Sequence, residues 1–248
     1  MGALVLGSSG RAVEFLQSRL GAPVDGKFGQ STQEALKASQ TAHGLTADGV
    51  YGPATNRALV ARSADAIAAC AQHLDVESAA FGAVVQVETA ASGFLDDGRP
   101  VILLERLYVY RQATAAQRRQ LPFNVCYADT GGYLGGAREW DRFEQVAAVM
   151  GVDDASQCVS WGLGQIMGAN WRAAGASSVA DFRTRMVQDE SHQLALMAGF
   201  ISSQGALLQA LKAKNWQAFA QHYNGAGYAQ NRYDQKLAAA YASLCNSA

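Results

Sequence analysis

The spacing of apolar residues along most of the chain is that of amphipathic helices. Beyond residue 65, apolar positions recur at intervals of three and four, which is the period of a helix with one buried face. The pattern predicts helices over about 66–74, 78–90, 103–112, 114–120, 139–150, 181–203, 205–213 and 215–222. Residues 121–136 and 158–171 interrupt it, and residues 100–104 are the leading candidate for a strand. The predicted fold class is therefore mainly α, with at most a small β-element.

One predicted helix carries a carboxylate on its apolar stripe. The stripe repeats at i, i+3, i+4 and i+7 and consists of Phe81, Val84, Val85 and Glu88. A carboxyl group there is removed from water and lies near the negative end of the helix, and both effects disfavour its ionised form. A carboxylic acid kept protonated at neutral pH can serve as the general acid that breaks a glycosidic bond. The simpler alternative is a Glu at the edge of the stripe that reaches solvent, which is the commoner case.

The N-terminal quarter of the chain contains one motif twice. Asp-Gly-x-aromatic-Gly-x-x-Thr occurs at 25–32 and again at 48–55, an offset of 23 residues. A repeat of this length indicates a unit used twice, here a tight turn that leads into a helix. Together with a helix predicted over about 11–20, the repeat makes residues 1–62 a small domain of three short helices.

Composition and charge exclude several classes of protein. A chain of 248 residues, 49% apolar and 17% charged, suits a folded core with a small additional module. The net charge of -1 gives no general case for nucleic-acid binding. No apolar run approaches the roughly twenty residues of a membrane-spanning helix. The first residues lack the pattern of a secretory signal, so we expect the protein to stay in the cytoplasm until something else releases it.

The cysteines and histidines are scattered. They are Cys70, Cys126, Cys158, Cys245, His43, His73, His192 and His222, without a CxxC, HExxH or short His-x-His pattern. In a cytoplasmic chain we expect the thiols to be free and buried. Neither a metal nor another cofactor is expected.

Three further segments are poorly explained as plain core. Residues 160–171 combine two tryptophans, three glycines and a glutamine, which suits the wall of a ligand cleft. Residues 222–228 read His-Tyr-Asn-Gly-Ala-Gly-Tyr, and Glu105 is a second carboxylate in apolar company, followed by Arg106. Each has a simpler alternative: a glycine-rich connector, a helix C-cap at 224–225, or an internal ion pair of Glu105 with Arg106.

In this order the segments resemble the goose-type lysozyme and lytic transglycosylase superfamily. That superfamily has a catalytic Glu at a helix end, then Ser-x-Gly-x-x-Gln-Ile-like and Tyr-Asn-Gly-like motifs, which match 87–90, 160–166 and 223–225 here. The run from Glu88 onward is similar, more closely, to the N-acetylmuramidase domain of modular phage endolysins, which share Pro-x-x-Leu-x-Glu-Arg (100–106) and Gly-Gly-Tyr (131–133). Thr follows Glu88 where relatives often have Ser. Residues 1–62 resemble the three-helix peptidoglycan-binding domains of cell-wall hydrolases.

The resemblance implies a peptidoglycan-binding domain over 1–62 and a lysozyme-like muramidase domain over 66–248. The implied reaction is hydrolysis of the β-1,4 bond between N-acetylmuramic acid and N-acetylglucosamine, which lyses the host cell. The implied substrate contacts are Ser160, Gln165, Tyr223, Asn224 and Gly225, and the implied wall contacts of the small domain are Asp25, Phe28, Asp48 and Tyr51. The partners are peptidoglycan glycan strands. A monomer, without nucleic-acid binding or stable membrane insertion, is expected.

One of the two catalytic roles is assigned to a single residue, and the other is open between several. Glu88 is assigned as the acid, whereas the group that positions or deprotonates water is open between Glu105, Asp97 and Asp96. The Asp-Asp-Gly sequence at 96–98 is most simply a solvated turn. The aromatics of the repeat, Phe28 and Tyr51, are equally explained as core residues.

Other reaction classes remain open. A lytic transglycosylase on the same fold would use Glu88 as acid and then base and release an anhydro sugar. A peptidase or amidase would ordinarily need zinc, which the scattered histidines disfavour. Nucleophilic hydrolysis by Cys158 or Ser160 has no positioned His in the sequence. A non-catalytic wall-binding protein is the remaining class. The small positive charge of residues 1–62, +2 against -3 for the rest, mildly favours a polyanionic wall as partner.

Overall fold

The structure is a computed structural model that describes residues 3–88 and 92–246, without the side chains of residues 224 and 226–228. Three helices form an N-terminal module, defined as residues 3–62: α1 (Arg11–Leu20), α2 (Gln30–Ala42) and α3 (Pro53–Val60). Its core consists of Val13, Leu16, Phe28, Leu36 and Tyr51. The predicted three short helices are confirmed.

Two buried glutamines close the repeated turns of this module. The Gln17 side chain donates to Asp25 Oδ1 at 2.7 Å and accepts from the backbone N–H of Gly26 at 2.9 Å. Gln40, 23 residues later, makes the same contacts with Asp48 at 2.8 Å and with the N–H of Gly49 at 2.9 Å. Each amide is 1% exposed, so each turn has its polar groups satisfied inside the module. The repeat therefore begins eight residues before its Asp-Gly motif.

The larger part of the chain is also helical. Its helices are α4 (Ala66–Leu74), α5 (Ser78–Glu88), α6 (Arg106–Gln112), α7 (Ala115–Arg118), α8 (Arg138–Met150), α9 (Val152–Gln157), α10 (Val179–Gln188), α11 (Glu190–Ser203), α12 (Gly205–Lys212), α13 (Trp216–Asn224) and α14 (Tyr233–Asn246). Short 3-10 turns occupy 168–170 and 226–231. The mainly α fold class is confirmed. Of the helix predicted over 78–90, residues 89–90 lie outside the described residues.

The helix predictions were incomplete at several points. The helix predicted over 103–112 starts only at Arg106, because residues 102–104 form a strand, and α9 and α14 were not predicted. The single helix predicted over 181–203 is broken at Asp189, whose extended backbone separates α10 from α11 and whose carboxylate accepts from the N–H of His192 at 2.9 Å. That contact is an N-cap, which ends one helix pattern and starts another. The alanine-rich α14 lacked a clear apolar stripe in the sequence, yet it packs on α5, with Leu244 against Gly82.

A small antiparallel sheet has the order β1-β2-β3, formed by β1 (Ile102–Leu104), β2 (Val159–Trp161) and β3 (Ile166–Met167). Ser160 lies between Leu103 and Met167 across the sheet. The predicted strand near 100–104 is confirmed, and the segment treated as irregular, 158–171, contains a β-hairpin. Trp161 is fully buried among Trp140, Phe143 and Phe182.

The larger part of the chain has two apolar cores that meet at the β2–β3 turn. The sheet belongs to the core around Trp140, whereas α5 belongs to the core around Phe81 and Leu194. Leu163, in the turn between β2 and β3, packs into the α5 core. This packing brings the hairpin turn onto the core that holds the helix of Glu88.

The N-terminal module is docked on the larger domain through apolar and buried polar contacts. Phe15 packs into the core around Trp140, with ring centroids 5.3 Å apart. The Arg19 guanidinium donates to the carbonyl oxygens of Val187 at 2.7 Å and of Gly98. Since these donors are satisfied by backbone carbonyls of the other domain, the placement of the module is specific.

In the described residues, no single helix is long and apolar enough to cross a membrane. The bent pair of α11 and α12, at 103°, meets that test only in combination.

Candidate active site

Glu88 is the last residue of α5, at the end of a fully packed helix face. Phe81 and Val84 are fully buried, Val85 is buried, and Glu88 itself is half-buried. The predicted stripe is therefore confirmed, with its carboxylate at the point where the helix leaves the core. This geometry leaves the carboxyl group accessible to a ligand while the helix below it is held rigidly.

Tyr223 lies near Glu88 and contacts the hairpin. Burial of its hydroxyl end, and then the negative charge of Glu88, raise the pKa of the Tyr223 phenol well above its ordinary value. The phenol therefore stays protonated and donates to the carbonyl oxygen of Gly164 at 3.1 Å. Its ring stacks on Phe219 at 5.6 Å. The end of α5, the β2–β3 turn and the end of α13 thus lie close to one another.

Ser160 and Gln165 brace the hairpin turn. The Ser160 hydroxyl donates to Gln165 Oε1 at 2.8 Å, and Gln165 Nε2 donates to the carbonyl oxygen of Gly162 at 2.8 Å. Gln165 adopts a left-handed backbone with φ of 46°, which is uncommon for a residue other than glycine and needs such support. Both predicted contact residues therefore shape the turn beside Glu88, and their contact with sugar remains a prediction.

A residue that the sequence did not single out, Gln193 of α11, connects this turn to the segment after Glu88. Its Oε1 accepts from the N–H of Leu163 at 2.8 Å, and its Nε2 donates to the carbonyl oxygens of Met186 at 2.9 Å and Gly93 at 3.4 Å. The side chain is 1% exposed. Every polar atom of the amide is used, so its position is fixed.

Two glycines allow this approach. A Cβ atom on Gly93 would lie 2.0 Å from Gln193 Oε1, and one on Gly162, which has φ of +66°, would lie 2.6 Å away. The Gly93 carbonyl also accepts from the N–H of Val101, whose own carbonyl accepts from the N–H of Gly162, both at 2.8 Å. The glycines visible in the sequence are therefore required by a buried amide from a distant helix.

Glu105 and Tyr133 form a second polar pair. The Tyr133 hydroxyl lies 2.9 Å from both carboxylate oxygens of Glu105. Burial, and then this contact, raise the pKa of Tyr133 to about 12. The simpler alternative, an internal ion pair of Glu105 with Arg106, is not formed, because Arg106 donates to the carbonyl oxygens of Asp129 and Thr130 at 3.0 and 2.7 Å. Its guanidinium is thereby committed to the loop that carries Tyr133.

A buried carboxylate that the sequence did not reveal holds this region. Glu139 is fully buried, accepts from the N–H of Leu104 at 3.0 Å and of Gly135 at 3.0 Å, and pairs with Arg142 at 2.7 Å. It therefore joins the end of β1, next to Glu105, to the glycine-rich loop that follows Tyr133. Its position in a helix gave no sign of this role in the sequence.

Asp97 and Asp96 differ in environment. Asp97 is buried and its carboxylate accepts from Arg99 Nη2 at 2.8 Å and from the Arg99 N–H at 3.0 Å. The prediction of a solvated turn holds for Asp96, which is exposed, and is wrong for Asp97. A carboxylate already paired with a buried guanidinium is poorly suited to deprotonate water, so Asp97 is structural.

Two of the four predicted wall contacts of the module, Phe28 and Tyr51, are core residues, whereas a wall contact of Asp25 or Asp48 remains a prediction. Phe28 and Tyr51 are each 2% exposed and form the core of the module, because the repeated turn folds its aromatic inward. Asp25 and Asp48 are exposed to solvent on the surface of the module. Hydrogen bonds from Gln17 and Lys27 lower the pKa of Asp25, and those from Val50 and Gln40 lower that of Asp48. Both carboxylates are therefore acceptors within their turns.

The last predicted contacts lie at the end of α13. Gly225 is its C-cap with φ of 73°, which matches the simpler alternative of a helix end at 224–225. The side chain of Asn224 lies outside the described residues. A role for either in binding remains a prediction.

The thiols are free, as expected, but not all are buried. Cys70, Cys126 and Cys158 are buried and Cys245 is exposed. Burial raises the pKa of Cys70 to about 11 and, as the largest cause, that of Cys158 to about 12, so neither thiol is an activated nucleophile. Among the described residues, no group of three or more His, Cys, Asp or Glu side chains could hold a metal ion.

Comparison with known proteins identifies a family for each of the two domains. A family model described as N-acetylmuramidase matches residues 77–245, and one described as a putative peptidoglycan binding domain matches residues 9–59. The crystal structure of Burkholderia AP3 phage endolysin is similar over 100% of this chain and 99% of that chain, with 36% identity and a TM-score of 0.72. No curated protein matches. The chain therefore belongs to the N-acetylmuramidase family, with a peptidoglycan-binding domain ahead of the catalytic domain in the modular arrangement of a phage endolysin.

Proposed function

We propose that this muramidase hydrolyses the β-1,4 bond between N-acetylmuramic acid and N-acetylglucosamine with Glu88 as general acid. The observation that carries the proposal is the convergence of Glu88, Tyr223 and the β2–β3 turn at the end of α5. In the reaction, the Glu88 carboxyl transfers its proton to the glycosidic oxygen as the bond to the anomeric carbon breaks. Water then adds to the oxocarbenium-like carbon and gives one of its protons to a carboxylate base, which leaves a hydroxyl group on that carbon.

Glu105 is the carboxylate we propose for orienting that water. It follows β1 directly, its oxygens are held by Tyr133, and the loop around it is fixed through Glu139. We favour Glu105 over Asp97 because the Asp97 carboxylate is paired with Arg99. Tyr223 keeps its proton, so we assign it a hydrogen-bonding rather than a proton-transferring role beside Glu88.

The cellular setting is inferred from the same family resemblance. We infer that the enzyme acts as a monomer on the glycan strands of peptidoglycan, after release from the host cytoplasm to the wall or periplasm. Nucleic-acid binding and stable membrane insertion are not part of this function. Binding of peptidoglycan itself follows from the N-terminal domain.

A lytic transglycosylase reaction is the second candidate, favoured by one feature: the carboxylate proposed to assist water is already hydrogen-bonded to Tyr133. In that reaction the 6-hydroxyl of the muramyl residue, rather than water, adds to the anomeric carbon. We expect hydrolysis, so mass spectrometry of the released muropeptides should show intact reducing ends. A muramyl product lighter by one water would contradict the hydrolase assignment.

Paired substitutions separate the two carboxylates proposed from the sequence. Glu105→Gln is expected to lower kcat about 10- to 100-fold with an unchanged Tm, because Glu105 is half-exposed. Asp97→Asn is expected to lower Tm instead, since breaking a buried ion pair costs about 3–5 kcal/mol. Thermal unfolding and release of reducing ends measure both effects. A large activity loss in Asp97→Asn at a temperature well below its Tm would reverse the assignment.

A further inference from the structure

The two domains together line a groove that neither forms alone. It has a volume of about 320 Å³, and we call it the inter-module groove. The N-terminal module contributes Asn56, Arg57 and Val60, and the catalytic domain contributes Ser92, Phe94, Asp96 and Glu190. Arg57 and Asp96 are exposed, so the groove opens to solvent between the domains.

The floor of the groove is built from buried contacts across the domain boundary. Asn56 accepts from the Tyr51 hydroxyl at 2.7 Å and donates to the carbonyl oxygen of Leu95 at 2.9 Å. Phe94 is buried beneath the Arg19 guanidinium, 4.9 Å from its ring centroid. Because these contacts are made by the protein's own side chains and backbone, they hold the groove residues Asn56 and Phe94 in place, which lowers the entropy cost of binding.

The groove lies close to the catalytic acid. Ser92, on its catalytic wall, follows Glu88 by four residues, so their Cα atoms are at most about 14 Å apart. Glu190 fixes this wall by accepting from the Ser92 hydroxyl at 2.9 Å and from the N–H of Gly93 at 3.2 Å. Arg62 of the module pairs with the same carboxylate at 3.6 Å. Groups that branch from a glycan bound at Glu88 can therefore reach the groove.

The charges of the groove select the chemistry of the occupant. Arg57 lines the groove from the N-terminal module and Asp96 lines it from the catalytic domain, and neither forms a side-chain hydrogen bond or ion pair with another residue that the structure describes. Opposite charges contributed to one groove by the two domains suit a dipolar ligand with a carboxylate and an ammonium group. The glycan backbone of peptidoglycan lacks that pairing, whereas its stem peptides have it, and they branch from N-acetylmuramic acid.

We propose that the inter-module groove binds the stem peptide on an N-acetylmuramic acid residue next to the bond being cleaved. Arg57 binds a peptide carboxylate and Asp96 an ammonium group, while the glycan lies at Glu88. This inference rests on the proposed function, because it takes the cleaved muramyl residue to lie at Glu88. It makes the peptidoglycan-binding module part of the substrate site, beyond its role as an anchor.

Binding to the full chain tests the groove separately from catalysis. The ligands are a soluble disaccharide-tetrapeptide and the same disaccharide without its peptide, titrated calorimetrically into the Glu88→Gln protein, which cannot turn them over. Adding Arg57→Ala is expected to weaken Kd for the peptide-bearing ligand about three- to tenfold. The preference for the peptide-bearing ligand should fall by the same factor. Arg119→Ala, which removes an exposed arginine remote from the groove residues in sequence, should retain the wild-type preference.

The two hypotheses fail differently. An unchanged Kd in the Arg57→Ala protein, or an equal loss for both ligands, overturns the groove as a peptide site. Absence of new reducing ends when the wild-type protein digests sacculi overturns the hydrolase assignment, while the binding preference still decides the groove. Charge reversal in a double variant, Arg57→Asp with Asp96→Arg, should restore part of the preference if the two residues bind opposite ends of one peptide.

Discussion

Replacing Glu88 by Gln is expected to reduce peptidoglycan cleavage by about 10²- to 10⁴-fold, with the fold intact. The amide has the size of the carboxyl group but cannot transfer a proton to the glycosidic oxygen. Glu88 ends α5 and is half-buried, so its replacement leaves the packed face of Phe81 and Val84 untouched. Reducing-end release from purified sacculi gives the rate, and thermal unfolding gives the stability.

Binding should survive this substitution. The N-terminal module has its own core and its own repeated turns, and none of its residues contributes the acid. The Glu88→Gln protein should therefore sediment with sacculi as the wild type does. Glu34→Gln, on an exposed face of α2, is the matched control and should lyse normally. Lysis at the wild-type rate by a folded Glu88→Gln protein would show that another group supplies the proton.

The sequence could predict features that depend on local order. The stripe that ends in Glu88 follows from the period of one helix, and the mainly α class follows from the same period along the chain. The strand near 100–104 and the turns of the repeat were likewise visible from neighbouring residues. The family resemblance also depended only on the order of three motifs along the chain, which can be compared without a structure.

The sequence could not reveal contacts made by polar side chains from distant helices. Gln193 and Glu139 lie in helices where the sequence gives no sign that a polar residue faces inward, and each binds a backbone N–H group 30 or more residues away, that of Leu163 for Gln193 and that of Leu104 for Glu139. Phe28 and Tyr51 show the converse limit, because an aromatic beside a glycine turn is equally consistent with a core residue and a ligand contact. Gln17 and Gln40 did leave a signal, since they recur with the same 23-residue offset as the turns.

Gln193→Leu is expected to lower both stability and kcat, the latter about 10- to 100-fold. Leucine fills a similar space but leaves the buried N–H of Leu163 and the carbonyl oxygen of Met186 without partners. Each unsatisfied group costs about 1–3 kcal/mol, which corresponds to a fall in Tm of several degrees for a chain of this size. The same loss frees the β2–β3 turn from the segment that follows Glu88.

A positioning role predicts more than a lower Tm. Assayed well below its unfolding temperature, the Gln193→Leu protein should show a reduced kcat with a nearly unchanged KM for sacculi, because the N-terminal module still binds the wall. Gly162→Ala should give the same kcat defect by a different route, since its Cβ would lie 2.6 Å from the Gln193 amide. Gln209→Leu, on the exposed face of α12, is the control and should change neither value. A Gln193→Leu protein that loses stability but keeps its kcat within twofold would show that Gln193 serves folding only. In that case the acid would reach the glycosidic oxygen without the hydrogen bonds of Gln193.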